Sequence, residues 1–310
     1  MGKKIKVFAP ATVANVACGF DVLGFAVDNP GDELIVEMTD RPGIQIVEIT
    51  GDEGRLPRTA EANTAGVAIQ QLITQVAYTG GVKIWLHKKM PMGSGLGSSA
   101  ASAAAGAFAM NELLGRPFAT EDLVPFAMEG ERLACGTAHA DNVAPALLGG
   151  FVLIRSYDPL DIIPIETPKE LIATVIYPQI EVATKDARQI LQKKVPLTDA
   201  ITQWGNVAGL VTGLLKSDYA LIGRSLQDVI IEPVRSLLIP GFQDVKAAAL
   251  ETGALGCAIS GSGPSLFSLS QDEDTAHKVA EVQQAAFLKL GIESNTYVSP
   301  VNQNGPIVIG

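Results

Sequence analysis

Near its first third the sequence reads as a strand that runs directly into a glycine-rich loop and then into a helix of small residues. In VKIWLHKK the apolar Val82, Ile84 and Leu86 alternate, as a half-buried strand requires. There follows PMGSGLGSSAASAAAGAFAMNELLG, with Gly93, Gly95 and Gly97 close together and a run of alanines from Ala100. Glycines at this spacing let backbone N–H groups converge on an anion, and the helix behind them offers free N–H groups and the positive end of its dipole. The loop reads as a phosphate cradle or, with no ligand, as a close approach of helix and strand that only Ala and Gly allow. No Gly-Lys-Ser/Thr is present, so the Walker lysine is missing, and Ser98 breaks the dinucleotide-binding spacing. Protein-kinase HRD and DFG motifs are also absent. Ser98 and Ser99 could ligate Mg²⁺ or a phosphate oxygen, or simply cap the helix.

Two other segments concentrate polar groups. Glu131 is followed by HADN, which brings His139, Asp141 and Asn142 into one short run. An aspartate there could orient or deprotonate a substrate hydroxyl; Asp and Asn in such a run also cap helices and make turns. His139 with Asp141 lacks the further ligands zinc would need. Gly253 to Ser270, GALGCAISGSGPSLFSLS, reads as strand, turn at Gly261-Ser262-Gly263-Pro264, and strand. By itself it is a hairpin; beside the first loop it would be a second wall of an anion site.

The remaining pattern is mixed. Strands are expected at Lys4–Ala9, Glu33–Met38, Ile44–Ile49, Phe151–Arg155, Leu171–Tyr177, Cys257–Ser260 and Ser265–Ser270. Helices are expected at Thr64–Tyr78, Glu121–Cys135, Thr184–Gln192, Thr198–Ile230 with a break, Gly241–Thr252 and Asp274–Leu290. A Gly- and Asn-containing turn region should separate the first two strands. This is an α+β chain rather than a doubly wound one. Its 310 residues predict two domains, and Pro159, Pro164 and Pro168 put the division near 160, giving 1–160 and 161–310.

A net charge of −10 has the wrong sign for gripping nucleic acid or anionic lipid, so any anionic ligand must be held by local groups. Cys18, Cys135 and Cys257 lie far apart with no CxxC pair, which fits a reducing cytosol and neither a disulfide scaffold nor a zinc ribbon. Pro10, Thr12, Asn15 and Asp21 interrupt what would have to be the apolar core of a signal peptide, and no segment approaches the roughly 18 apolar residues of a membrane helix. A soluble, cytoplasmic protein with no membrane partner is expected.

PATVANVACGFD (Pro10 to Asp21), PMGSGLGSSAA (Pro91 to Ala101) and GCAISGSGPS (Gly256 to Ser265), in this order, resemble the three motifs of the GHMP kinases, the small-molecule kinase family that includes galactokinase and mevalonate kinase. The likeness covers nearly the whole chain. The first motif as PATxANxxxGFDxLGFA, together with HADNVAPALLGG and EPVRSLLIPGF, looks like the branch that acts on L-homoserine. The resemblance implies an N-terminal half like domain 2 of ribosomal protein S5, a ferredoxin-like C-terminal half, and a homodimer. It implies ATP- and Mg²⁺-dependent phosphorylation of the L-homoserine side-chain hydroxyl to O-phospho-L-homoserine, on the route to threonine.

By residue, it implies triphosphate binding on Pro91, Met92, Gly93, Ser94, Gly95, Leu96, Gly97, Ser98, Ser99 and Ala100, with an adenine contact at or near Asn63. Mg²⁺ would fall on Ser99 and Glu131; Glu129 competes, but the family's glutamate precedes the histidine by eight positions. Homoserine would meet Asn15, Asp21, His139, Thr184, Arg188 and Arg235, with the Gly261 loop closing nearby. Arginines can answer the α-carboxylate and Asp21 the ammonium. Asp141 is the residue expected to orient or deprotonate the hydroxyl, the alternative acceptor being the γ-phosphate itself. Ala17-Cys18 stands where relatives often carry Gly or Pro, and Cys257 where a small apolar residue is usual; neither replaces an expected contact. The competing readings are a kinase for another small alcohol, mevalonate or shikimate, and a non-catalytic ligand-sensing relative. Asp21 suits an amine better than mevalonate, and intact Ser99, Glu131 and Asp141 favour catalysis.

Overall fold

The computed structural model describes residues 2–136, 138–182 and 184–310, and the side chains of residues 134, 135 and 184–186 fall outside that description. Strand β1 (Lys4–Ala14) pairs antiparallel along its whole length with β2 (Leu23–Thr39), with one register shift between Pro10 and Ala11 that skips residues 28–30 of β2. The broad turn expected between the first two strands is therefore confined to residues 15–22. Pro10, Pro30 and Gly31 look like breakers in the sequence, but the chain absorbs Pro10 at the bulge, where a missing N–H does little harm. Ala9, Ala11, Val13, Phe25 and Val27 are all fully buried, which is what extends the ladder.

Strand β3 (Gly43–Thr50) lies parallel to β4 (Gly81–His87), with helix α1 (Thr64–Gln75) as the crossover. Among the described residues the first sheet runs β11 (Ile307–Val308), β1, β2, β4, β3, and a hairpin of β5 (Phe151–Tyr157) and β6 (Leu160–Ile165) joins at Leu23–Phe25 of β2. β6 occupies the proline-rich stretch read from sequence as a connection. Pro164 is tolerated because β6 is an edge strand paired only with β5. The chain crosses to the second sheet over residues 166–171.

Helices α2 (Ser98–Leu113), α3 (Val124–Cys135) and α4 (Ala140–Leu148) pack with α1 on the first sheet. α2 is buried on nearly every side, from Ala100 through Ala107, so its small side chains serve close packing. The second sheet is antiparallel, in the order β10 (Ser294–Pro300), β7 (Ile172–Pro178), β9 (Leu266–Ser270), β8 (Gly256–Ile259). Its other elements are α5 (Thr184–Gln189), α6 (Leu197–Lys216), α7 (Tyr219–Ser225), α8 (Glu232–Arg235), α9 (Phe242–Glu251) and α10 (Glu273–Leu288). The break expected between Thr198 and Ile230 falls at Ser217, where φ is +51° and the helix ends.

The larger of two apolar cores spans both sheets, and the smaller packs α9 and α10 on the second sheet. Phe25 of β2 stacks on Phe151 with centroids 4.5 Å apart and meets Phe267 of β9 edge-on at 5.7 Å. This α+β arrangement of two sheets agrees with the expected class. Among the described residues, no helix is long and apolar enough to cross a membrane.

Candidate active site

A cleft of about 930 Å³ opens between the glycine loop, the 15–21 turn, α3, α4 and the Gly261 turn. Gly93, Gly95 and Gly97 all have left-handed φ, at 67°, 80° and 67°. A Cβ on Gly97 would lie 2.0 Å from Thr12 Oγ1, and one on Gly95 would lie 2.5 Å from the Ser260 carbonyl oxygen. The loop thus needs glycine for both conformation and space. Gly97 is the N-cap of α2, and no side chain caps that helix, so its first N–H groups are available to an anion in the cleft.

The three sequence segments meet here. Thr12 N–H donates to the Leu96 carbonyl at 3.0 Å, Ser265 N–H to the Ser94 carbonyl at 3.2 Å, and Ser260 Oγ to the Gly95 carbonyl at 2.7 Å. The Gly261 turn is therefore the second wall of the loop. Below the loop, buried Lys88 ion-pairs with buried Asp32 and donates to the Ser98 carbonyl and to Ser102 Oγ, both at 2.8 Å. Asp32 also accepts from the N–H groups of Lys89 and Met90, fixing the chain where it leaves β4.

Ser99 Oγ donates to Glu131 Oε2 at 2.8 Å, and Glu131 is buried. Glu129 faces the other way and pairs with Arg132 at 3.1 Å. Of the two glutamates, only Glu131 lines the cleft. One hydroxyl and one carboxylate suit Mg²⁺, which keeps several waters and takes phosphate oxygens rather than a full protein cage. Among the described residues, no cluster of three or more His, Cys, Asp or Glu could hold a metal.

At the opposite end, Asn15, with φ +71°, donates from Nδ2 to the Gly261 carbonyl at 2.7 Å and accepts from Asp21 N–H at 3.0 Å. Arg188 Nη2 reaches both oxygens of Asp21, at 2.9 and 3.2 Å. Buried Arg235 donates to the Ala187 carbonyl and the Gly261 carbonyl, both at 3.0 Å, and its guanidinium lies 4.9 Å from the Phe20 ring centre. Burial brings its pKa down to about 10, with Arg188 adding to the shift.

His139 is the N-cap residue of α4, makes no side-chain cap bond, and sits half-buried 3.7 Å from Asp21; burial lowers its pKa, and Asp21 opposes that. Asp141, in the first turn of α4, is buried, and its Oδ1 has no hydrogen-bond partner. Burial first, then the nearby Asp21 and Glu131 charges, push its pKa up to about 7. Such a carboxyl is poised to exchange a proton near neutrality.

Among the residues expected to bind ligands, Asn15, Asp21, Asn63, Met92, Gly93, Ser94, Gly95, Gly97, Ser98, Ser99, Glu131, His139, Asp141, Arg188, Arg235 and Gly261 all line this cleft. Leu96 and Ala100 instead face the core, and Pro91 contributes a carbonyl that accepts from Ser94 Oγ at 2.6 Å. Asn63 has its side chain engaged as the N-cap of α1 and as a donor to the Pro57 carbonyl. The Thr184 side chain lies outside the described residues. No motif marks Lys88, although continuing the 82, 84, 86 alternation one step puts residue 88 on the buried face. Asn142, the amide of the HADN run, lines the cleft and accepts from Thr12 Oγ1 at 2.7 Å. Cys18 is buried, and its thiol is pushed up to about 12 chiefly by that burial, so it is inert.

A cradle for phosphates facing a pocket of opposite charges is the layout of a small-molecule phosphotransferase. The family model for the GHMP kinases N terminal domain matches residues 63–150, and that for GHMP kinases C terminal matches residues 210–287. Homoserine kinase of Chlorobium phaeobacteroides (strain BS1) is 52% identical over 319 residues, covering 99% of this chain and 100% of the relative. That of Chloroherpeton thalassium (strain ATCC 35110 / GB-78) is 51% identical over 318 residues, covering 99% and 100%. The crystal structure of homoserine kinase from Cytophaga hutchinsonii ATCC 33406 superposes with a TM-score of 0.97 at 60% identity, over 100% of this chain and 98% of that one. The chain belongs to the GHMP kinases and, within them, to the homoserine kinase family.

Proposed function

We propose that this protein transfers the γ-phosphoryl group of ATP to the side-chain hydroxyl of L-homoserine, giving O-phospho-L-homoserine and ADP. The observation that carries this is one cleft holding an uncapped α2 N-terminus behind three left-handed glycines at one end and the Asp21, Arg188 and Arg235 group at the other. The loop N–H groups and the α2 dipole would receive the triphosphate. Ser99 and Glu131 would hold Mg²⁺, which when bound supplies neutralisation of phosphate charge.

The Asp21–Arg188 pair presents a negative and a positive group side by side, the complement of an amino acid's ammonium and carboxylate. Arg235 adds a second guanidinium for the carboxylate. The hydroxyl oxygen would form its new bond to the γ-phosphorus while its proton passes to Asp141, whose free Oδ1 supports that role. Alignment and charge neutralisation would supply most of the rate.

The homodimer is part of the same proposal. It is supported by an exposed apolar ridge on α6, where Leu197, Ile201, Trp204 and Leu215 are 51–69% accessible. We place the enzyme in the cytoplasm.

ADP release with Mg-ATP and L-homoserine, mevalonate, shikimate or L-threonine at equal concentration tests the acceptor, with the product identified by phosphorus NMR. Turnover with homoserine alone is expected. Turnover only with another alcohol overturns the pocket assignment, and turnover with none overturns the activity.

A further inference from the structure

The turn that presents Asn15 and Asp21 is held in an unusual backbone conformation. Asn15, Val16, Ala17 and Asp21 all have positive φ, at 71°, 33°, 55° and 60°. For a β-branched valine this is a costly conformation that persists only where neighbours over-determine it. The carbonyl of Cys18, inside the turn, accepts from Gln203 Nε2 at 3.0 Å. The same Nε2 donates to Asp228 Oδ1 at 2.9 Å, and Gln203 Oε1 accepts from Val229 N–H at 3.0 Å. Both donors and the acceptor of this amide are thus committed.

Asp228 is in turn the anchor of the segment that leads to Arg235. Its Oδ1 accepts from the N–H groups of Ile230 and Ile231, and its Oδ2 from Glu232 N–H, all at 2.9 Å. Between this segment and the 15–17 stretch lies a void of about 10 Å³ lined by Asn15, Ala17, Asp228, Glu232 and Arg235. The turn and this segment meet through the Gly261 carbonyl, which accepts from both Asn15 and Arg235, and a tie from a third element can hold their separation as well. α6 is well placed to do so, because Leu210 and Leu214 bury it in the core.

We propose that Gln203 is a positioning residue for acceptor binding: its amide sets the spacing between the turn that presents Asp21 and the segment that presents Arg235. This rests on the reading of the cleft as the L-homoserine site. Gln203 touches no ligand in this scheme. Leucine at this position removes all three bonds, and glutamate turns two donated bonds into contacts of an acceptor with the Cys18 carbonyl and the Asp228 carboxylate.

The test uses the full chain as wild type, Gln203→Leu and Gln203→Glu, measuring KM for homoserine and for ATP, together with hydrogen exchange without ligand. The expected result is a rise in homoserine KM of about tenfold or more, with ATP KM changed less than about twofold. Exchange should quicken in residues 15–22 and 228–236 and stay the same in 91–99. A folded variant with wild-type homoserine KM, or with both KM values raised equally, overturns the proposal. If the wild type does not phosphorylate homoserine, the functional reading fails instead, and the exchange pattern alone decides for or against Gln203. If Gln203→Leu does not fold, the isosteric Gln203→Glu carries the comparison.

Discussion

Ser99 Oγ donates to Glu131 Oε2 at 2.8 Å, tying the first turn of α2 to α3 across 32 residues of sequence. The bond brings a neutral oxygen and a carboxylate together where the free N–H groups of α2 begin, and these two side chains are the ones that would hold Mg²⁺. Glu131→Gln should lower kcat/KM by about a hundredfold and raise the Mg²⁺ concentration needed for half-maximal rate. Glu129→Gln, at an exposed site paired with Arg132, should stay within about twofold of wild type. Steady-state rates across a Mg²⁺ titration compare the two, and a larger effect from Glu129→Gln would reverse the assignment.

Asp141 gives the pH dependence its sign. Its folded pKa, raised to about 7, lies above the ordinary aspartate value of 3.8, so the folded state binds the extra proton between those limits. The site acts as a base only when ionised, so kcat should rise through about pH 7 and level off above it. Stability should move the other way, falling as pH rises from about 4 to about 7, because the unfolded carboxyl ionises over that range while the buried one must keep its proton. Asp141→Asn should lower kcat by about a hundredfold or more, flatten that limb, and raise Tm at pH 8 relative to wild type but not at pH 4. Wild-type turnover in this variant would remove Asp141 from proton transfer.

The loop separates backbone strain from steric exclusion. Gly93 and Gly97 share a φ of 67°, yet a Cβ on Gly93 meets nothing within 4 Å while one on Gly97 collides with Thr12 Oγ1 and Asn142 Oδ1. Gly93→Ala should cost only the left-handed penalty, about 1–2 kcal/mol. Gly97→Ala should cost about 3 kcal/mol and also displace the start of α2, raising ATP KM. Thermal unfolding and ATP KM for both variants test this; equal losses would mean that conformation alone governs the loop.

How much of this was legible in the sequence follows from the range of the forces involved. The strand, loop and helix around Gly93–Ala100 are local, since alternation and glycine chemistry operate within a few residues, and they stand where expected. The ladder from Lys4 to Thr39 is longer than the local pattern predicts, because burial outweighs the breaker character of Pro10, Pro30 and Gly31. Residues such as Asp21, Arg188 and Arg235 carry no local mark of their meeting. The contact spans 167 residues between Arg188 and Asp21, and only the family pattern selected them. Gln203, Asp228 and Lys88 escaped for a related reason: each acts through backbone groups or a buried partner that tertiary packing alone brings near.

Arg235 is the residue whose replacement best distinguishes charge from geometry. Its guanidinium spends Nε on the Ala187 carbonyl and Nη1 on the Gly261 carbonyl and lies against Phe20, so the fork is held from three sides before any ligand arrives. Lysine keeps the positive charge but, as a single ammonium, cannot span both carbonyls and still offer a planar pair of N–H groups to a carboxylate. Gly261 would keep its bond from Asn15, so the turn itself should survive. Arg235→Lys is therefore expected to raise homoserine KM by about 10- to 100-fold, the loss of one or two charge-assisted hydrogen bonds, with ATP KM within about twofold. Initial rates over a matrix of both substrates measure this directly. A lysine variant with near-wild-type homoserine KM would mean that net charge at this position suffices and that the held geometry of the fork contributes little to acceptor binding.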